Sequence, residues 1–205
     1  MARTYTMTRR AEQQAETRRR IVDAAIALHG SVGPALTTVS MVAERAGVQR
    51  HTFYAHFPDE RSLLMACSQA TLERNPLPDA GPWRAIADER ERLRTGLSAI
   101  YAWYGRNAAL AACVMRDAEN HALTSEIMQI RFGPFFAAYH EVLGAGLDRT
   151  RHAVLTLALG FYSWRALVRD GGLAPEEAVE VMVNAIAGAG APEPIRRRRS
   201  ADAHA

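Results

Sequence analysis

Apolar residues recur along the chain at helical rather than alternating spacing. Ile21, Ala24, Ala25 and Leu28 fall three and four apart among Glu and Arg residues, which predicts a helix over 11–29 ended by Gly30. A short helix is expected from Val39 to Ala46, with Thr37 or Thr38 as N-cap and Gly47 just past its end. Another runs from Gln49 to Phe57 and stops before Pro58, and a fourth opens at Asp59 and Glu60 and turns Leu63, Leu64 and Cys67 inward. The proline-rich segment Asn75–Pro82 then breaks the pattern and reads as a linker. Longer helices are expected over about 83–105, 108–119, 124–146, 150–170 and 175–189. No stretch alternates with period two, so the fold class is all-α.

Length and composition narrow the function classes. The chain has 205 residues, 48% of them hydrophobic and 23% charged, enough to bury a sizeable core in one large or two small domains. The longest uncharged apolar run lies between Arg151 and Arg165 and is short of a membrane span. Asp23 interrupts the only apolar stretch near the N-terminus, so no secretory signal is expected. Cys67 and Cys113 have no CxxC or His neighbour at ligand spacing, which argues against a metal site or disulfide framework and for a cytoplasmic protein. All 25 basic residues are Arg. They are unevenly placed: residues 1–74 hold 10 Arg against 7 acids, and residues 75–190 hold 11 against 13. The basic excess at the N-terminal end is compatible with an anionic partner or with an ordinary solvated surface.

The informative stretch is Thr37–Phe57, TTVSMVAERAGVQRHTFYAHF. Val39, Val42, Ala43, Ala46 and Val48 make the inner side of the first short helix and the turn; Ala43 permits a close crossing and Gly47 a left-handed turn. Phe53 and Phe57 mark the inner face of the second helix, and the opposite face centres on His51 and Ala55, flanked by Arg50, Thr52 and Tyr54. No acid lies between Glu44 and Asp59. Such a face suits a DNA major groove, and it equally suits a small hairpin whose polar side is solvated.

This stretch, with the helix before it and FPDERSLL after it, resembles the DNA-binding domain of the tetracycline-repressor (TetR) family of transcriptional regulators, from about Arg18 to Leu64. The resemblance implies a helix-turn-helix domain over 16–64 with a connecting helix to about 74, after a flexible basic arm over 1–15. Beyond the linker at 75–82 it implies a ligand-binding and dimerisation domain over 83–189, and 190–205 reads as a disordered tail containing Arg196–Arg199. Carried over by position, Gln49, Arg50, His51 and Thr52 approach base edges. Tyr54 and His56 touch phosphate, and Thr38 sits at a helix start facing the backbone. Two positions depart from the family pattern: His29 stands where an aromatic is usual, and Glu60 where Lys is common, with Arg61 a possible substitute.

For the second half, an effector pocket is expected at Leu97, Tyr101, Tyr104, Met115, His121, Phe132 and Phe136, with Gly133-Pro134 making the packing irregular. Each of these residues also fits an ordinary core. The dimer interface is expected at Leu157, Phe161, Trp164, Val179, Met182, Val183 and Ile186, because residues 152–164 are apolar nearly all round. The alternative is that this helix is the centre of a monomer's core.

An enzyme is disfavoured, since there is no glycine-rich phosphate loop, no HExxH and no nucleophile with an evident base; no catalytic residue, metal or cofactor is expected. The expected function is a repressor that binds a palindromic double-stranded operator as a homodimer and is released by a small apolar or aromatic effector, with no membrane partner. The competing reading is a ligand-independent DNA-binding protein, architectural or activating.

Overall fold

A computed structural model describes residues 2–190. The tail expected to begin at 190 therefore lies, from 191 on, outside the described residues. Nine α-helices and no strand are found among the described residues. The first, α1 (Ala2–His29), is a single helix, so residues 2–15 of the expected arm are instead part of it. The physical reason is local: no Gly or Pro interrupts residues 2–29, and Ala11–Glu16 are good helix formers throughout.

Helices α2 (Val39–Ala46), α3 (Arg50–His56) and α4 (Glu60–Arg74) follow the expected boundaries closely. They close on α1 around one core that includes Ile21, Ala25, Val42, Phe53, Phe57 and Leu63. Asp59 caps α4 by accepting the Ser62 N–H at 2.7 Å, a bond that also holds its carboxyl below the ordinary carboxylate range.

The segment read as a linker is instead bound to the second core. Leu77, Ala80 and Trp83 are buried, the Trp103 indole donates to the Asn75 carbonyl at 3.0 Å, and the Tyr139 hydroxyl donates to that of Pro78 at 2.8 Å. A 3₁₀ turn, Gly81–Ala85, leads into α5 (Glu89–Ala118). Two helices were expected here, over 83–105 and 108–119. The chain is divided where they were expected to meet: Asn107 leaves helical geometry (φ −116°, ψ 16°) within α5, and its side-chain amide donates to the Trp103 carbonyl.

Helix α6 (Ala122–Leu143) runs through Pro134 without a break. The proline is on the exposed side, so the helix bond it removes frees a carbonyl on the solvent face. The real interruption comes later. The helix expected over 150–170 is α7 (Arg149–Leu159), an extended Gly160 (φ −73°, ψ 137°), the short α8 (Phe161–Trp164) and a π-helical stretch, Arg165–Asp170. Tyr101 and Tyr104 of α5 donate their hydroxyls to the carbonyls of Ala158 and Leu159, at 3.0 and 2.8 Å. These are last-turn carbonyls that the broken helix leaves without their usual partners. The last helix, α9 (Pro175–Gly188), packs on α5 and α7.

Candidate nucleic-acid interface and effector cavities

The α2–α3 hairpin is built tightly. The Thr38 hydroxyl accepts the Met41 N–H at 3.3 Å and caps α2, while Gly47, at φ 64° and ψ 41°, makes the left-handed turn out of it. Two arginines of α1 hold the hairpin from behind. Arg20 donates to the carbonyls of Ala46 and Gly47, at the end of α2. Arg18 donates to the His56 carbonyl at 3.1 Å and stacks its guanidinium 4.2 Å over the Phe57 ring. Part of the N-terminal basic excess is therefore occupied in capping helix ends.

The outward face of α3 is as the spacing predicts. Phe53 and Phe57 are buried, while Gln49, Arg50, His51 and Tyr54 are exposed and Thr52 and His56 half-buried. Thr38 is exposed at the start of α2. The seven expected DNA-contact residues thus sit on the hairpin, and no carboxylate lies on α3 or on the turn before it. Arg61 is paired with Glu126 of α6.

Residues 21–67 match the model of a family described as bacterial regulatory proteins, tetR family. This stretch of the chain is thus similar to the N-terminal domain of TetR-family regulators. The HTH-type transcriptional regulator SrpR of Pseudomonas putida is 36% identical over 82 residues, which is 37% of this chain and 38% of that protein. TtgW, an uncharacterized HTH-type transcriptional regulator also of Pseudomonas putida, is likewise 36% identical over 82 residues, covering 37% of this chain and 61% of that protein. The match thus spans less than two thirds of either relative. In fold, the chain is similar to the transcriptional regulator FadR of Bacillus subtilis in complex with stearoyl-CoA, at TM-score 0.59 and 17% identity over 82% of this chain and 96% of that one.

Behind helices α1–α4, two small cavities adjoin. The inner one, about 50 Å³, lies between α5 and α6 and is lined by Trp103, Tyr104, Asn107, Ala111, Met115 and Phe136. The other, about 60 Å³, lies between α1–α4 and the C-terminal half, with Ile26, His29, Leu64, Cys67 and Ser68 on the first side and Thr124 and Ile127 opposite. Thr71, Leu110, Val114, Met128 and Phe132 line both.

The expected effector residues are thereby divided. Tyr104, Met115, Phe132 and Phe136 line the inner cavity. Leu97 and Tyr101 do not: they are fully packed in the core, because their face of α5 meets α7 and α9. His121 is at the domain boundary, 2.7 Å from the Thr124 hydroxyl and 3.6 Å from Glu60. Six of the seven expected interface residues also require correction. Phe161, Trp164, Val179, Met182, Val183 and Ile186 are at most 9% exposed within one chain, since α8 and α9 turn their apolar stripes onto α5. Only Leu157, 58% exposed, faces outward.

The domain junction was not legible in the sequence. Asp117, buried at the end of α5, accepts the Ala35 N–H at 2.9 Å and pairs with Arg116, which donates to the Val32 carbonyl at 2.8 Å. These partners are 82 and 84 residues apart, so no local pattern announces them.

Proposed function

We propose that the chain is a ligand-responsive transcriptional repressor that binds a two-fold operator as a homodimer. The observation that carries this reading is the outward face of α3: Arg50, His51 and Tyr54 exposed, free of carboxylates, and held by arginine clamps to the rest of the domain. In this reading Gln49, Arg50, His51 and Thr52 meet base edges while Thr38, Tyr54 and His56 meet phosphates. The dimer forms through the exposed sides of α7 and α9, where Leu157 and Val181 are 58% and 45% exposed. The effector enters between α5 and α6, beside Met115, Phe132 and Phe136.

Binding to duplex DNA at several salt concentrations tests the core of the proposal. Affinity falls linearly on a log–log plot with a slope set by the number of phosphates contacted. A salt-independent or undetectable interaction would overturn it.

A further inference from the structure

We propose that the two cavities are lobes of one effector site, that the site takes an uncharged apolar molecule about one aromatic ring in size, and that such a molecule touches both domains at once. This rests on the regulator reading above and adds to it the ligand's chemistry and its second contact surface.

The lobes share part of their lining. Met128 and Phe132 of α6 and Leu110 and Val114 of α5 line both spaces. Neither space, at about 60 and 50 Å³, holds a ring by itself. Joined, with the flexible thioether of Met128 displaced, they approach the roughly 150 Å³ at which an apolar cavity takes up benzene. The backbone around this wall is already irregular: α5 bends at Asn107, and α6 lacks one helix bond at Pro134, two residues past Phe132.

The lining admits no charge. Among the described residues that line the two lobes there is no Asp, Glu, Lys or Arg. The polar groups are already engaged: Thr71 donates to the Cys67 carbonyl, Ser68 to that of Met65, Asn107 to that of Trp103, and Thr124 pairs with His121. Burial pushes the Cys67 thiol up to about 12 and His29 down to about 4, so both are neutral near pH 7. A carboxylate ligand gains no cation here and meets the field of Asp117 beside His29. A cationic ligand gains no anion. Either enters desolvated and unpaired.

The outer lobe gives the ligand a mechanical effect. Its walls include Ile26 and His29 of α1 and Leu64 of α4, helices of the DNA-binding unit, facing Ile127 of the regulatory one. A molecule that spans both lobes binds differently to two domain arrangements, which is the condition for coupling effector to operator.

The test uses the full chain with methyl-labelled Ile and Met, titrated with ethylbenzene and with its charged analogue phenylacetate and followed by NMR. Ile26 reports the outer lobe, Met115 the inner lobe and Met128 the wall. The expected result is that ethylbenzene shifts all three methyls with one dissociation constant, and that phenylacetate binds at least about 100-fold more weakly, as an unpaired charge in an apolar site requires. Ala111→Phe, filling the inner lobe, abolishes the shift at Ile26 as well. Movement of Met115 alone, comparable binding of phenylacetate, or no saturable shift would each overturn the proposal. None of these outcomes bears on DNA binding, which the salt titration tests without ligand.

Discussion

Asp117, near the end of α5, holds the backbone N–H of Ala35 at 2.9 Å, so a carboxylate of the C-terminal half fixes the loop that leads into the α2–α3 hairpin. The fit leaves no room for another side chain. Gly33 adopts φ +99°, and a Cβ there would lie 2.3 Å from both the Arg116 guanidinium and the Asp117 carboxylate. Gly33→Ala is therefore expected to lower stability by about 1–3 kcal/mol, through backbone strain together with the displaced ion pair. Denaturant unfolding checks this; a midpoint within error of the parent's would show that the junction yields freely.

His29 makes stability depend on pH in a definite direction. Its ordinary value is 6.5, and burial lowers it to about 4 in the folded chain. Between those values the unfolded chain binds the proton and the folded one does not, so stability falls as pH drops from about 6.5 to 4, by up to roughly 3 kcal/mol. His29→Phe should flatten this part of the stability–pH curve. An unchanged slope would assign the dependence to other groups.

Tyr101 and Tyr104 are expected to act on stability rather than on effector selectivity. Their hydroxyls cap the carbonyls of Ala158 and Leu159. Tyr101→Phe, outside both cavities, leaves the buried Ala158 carbonyl unpaired and should cost about 1–3 kcal/mol in thermal unfolding, with ethylbenzene affinity unchanged. Loss of affinity at unchanged stability would move the hydroxyl into the effector site.

Two kinds of charge substitution separate core from interface. Leu157→Glu with Val181→Glu alters exposed positions and should give folded monomers by sedimentation. Val183→Glu, at a fully buried position, should unfold the chain instead. Folded dimers in the first case would place the two-fold contact elsewhere.

These outcomes also mark where sequence reading succeeds. The hairpin was legible because Thr38, Gly47, Phe53 and Phe57 each carry a local rule — cap, left-handed turn, inner face — that tertiary packing does not override. The regulatory half obeys weaker rules. An apolar stripe on α9 is the same whether it meets α5 or a second copy, so Val179, Val183 and Ile186 read as interface although they are core. The break at Gly160 was not expected from the spacing, and Pro134, the obvious breaker, sits where its lost bond faces outward. The Asp117–Ala35 contact and the outer lobe join segments far apart in the chain, with no spacing to betray them.

The central claim, that the outward face of α3 reads duplex DNA, is tested most directly by selecting bound sequences from random duplex DNA with the parent chain and with Arg50→Ala. The account predicts a two-fold motif with half-sites about one helical turn apart. It also predicts that Arg50→Ala loses preference at one base pair per half-site, at a cost of about 1–3 kcal/mol. Enrichment of no motif by the parent chain, or of the same motif with equal preference by Arg50→Ala, would contradict it.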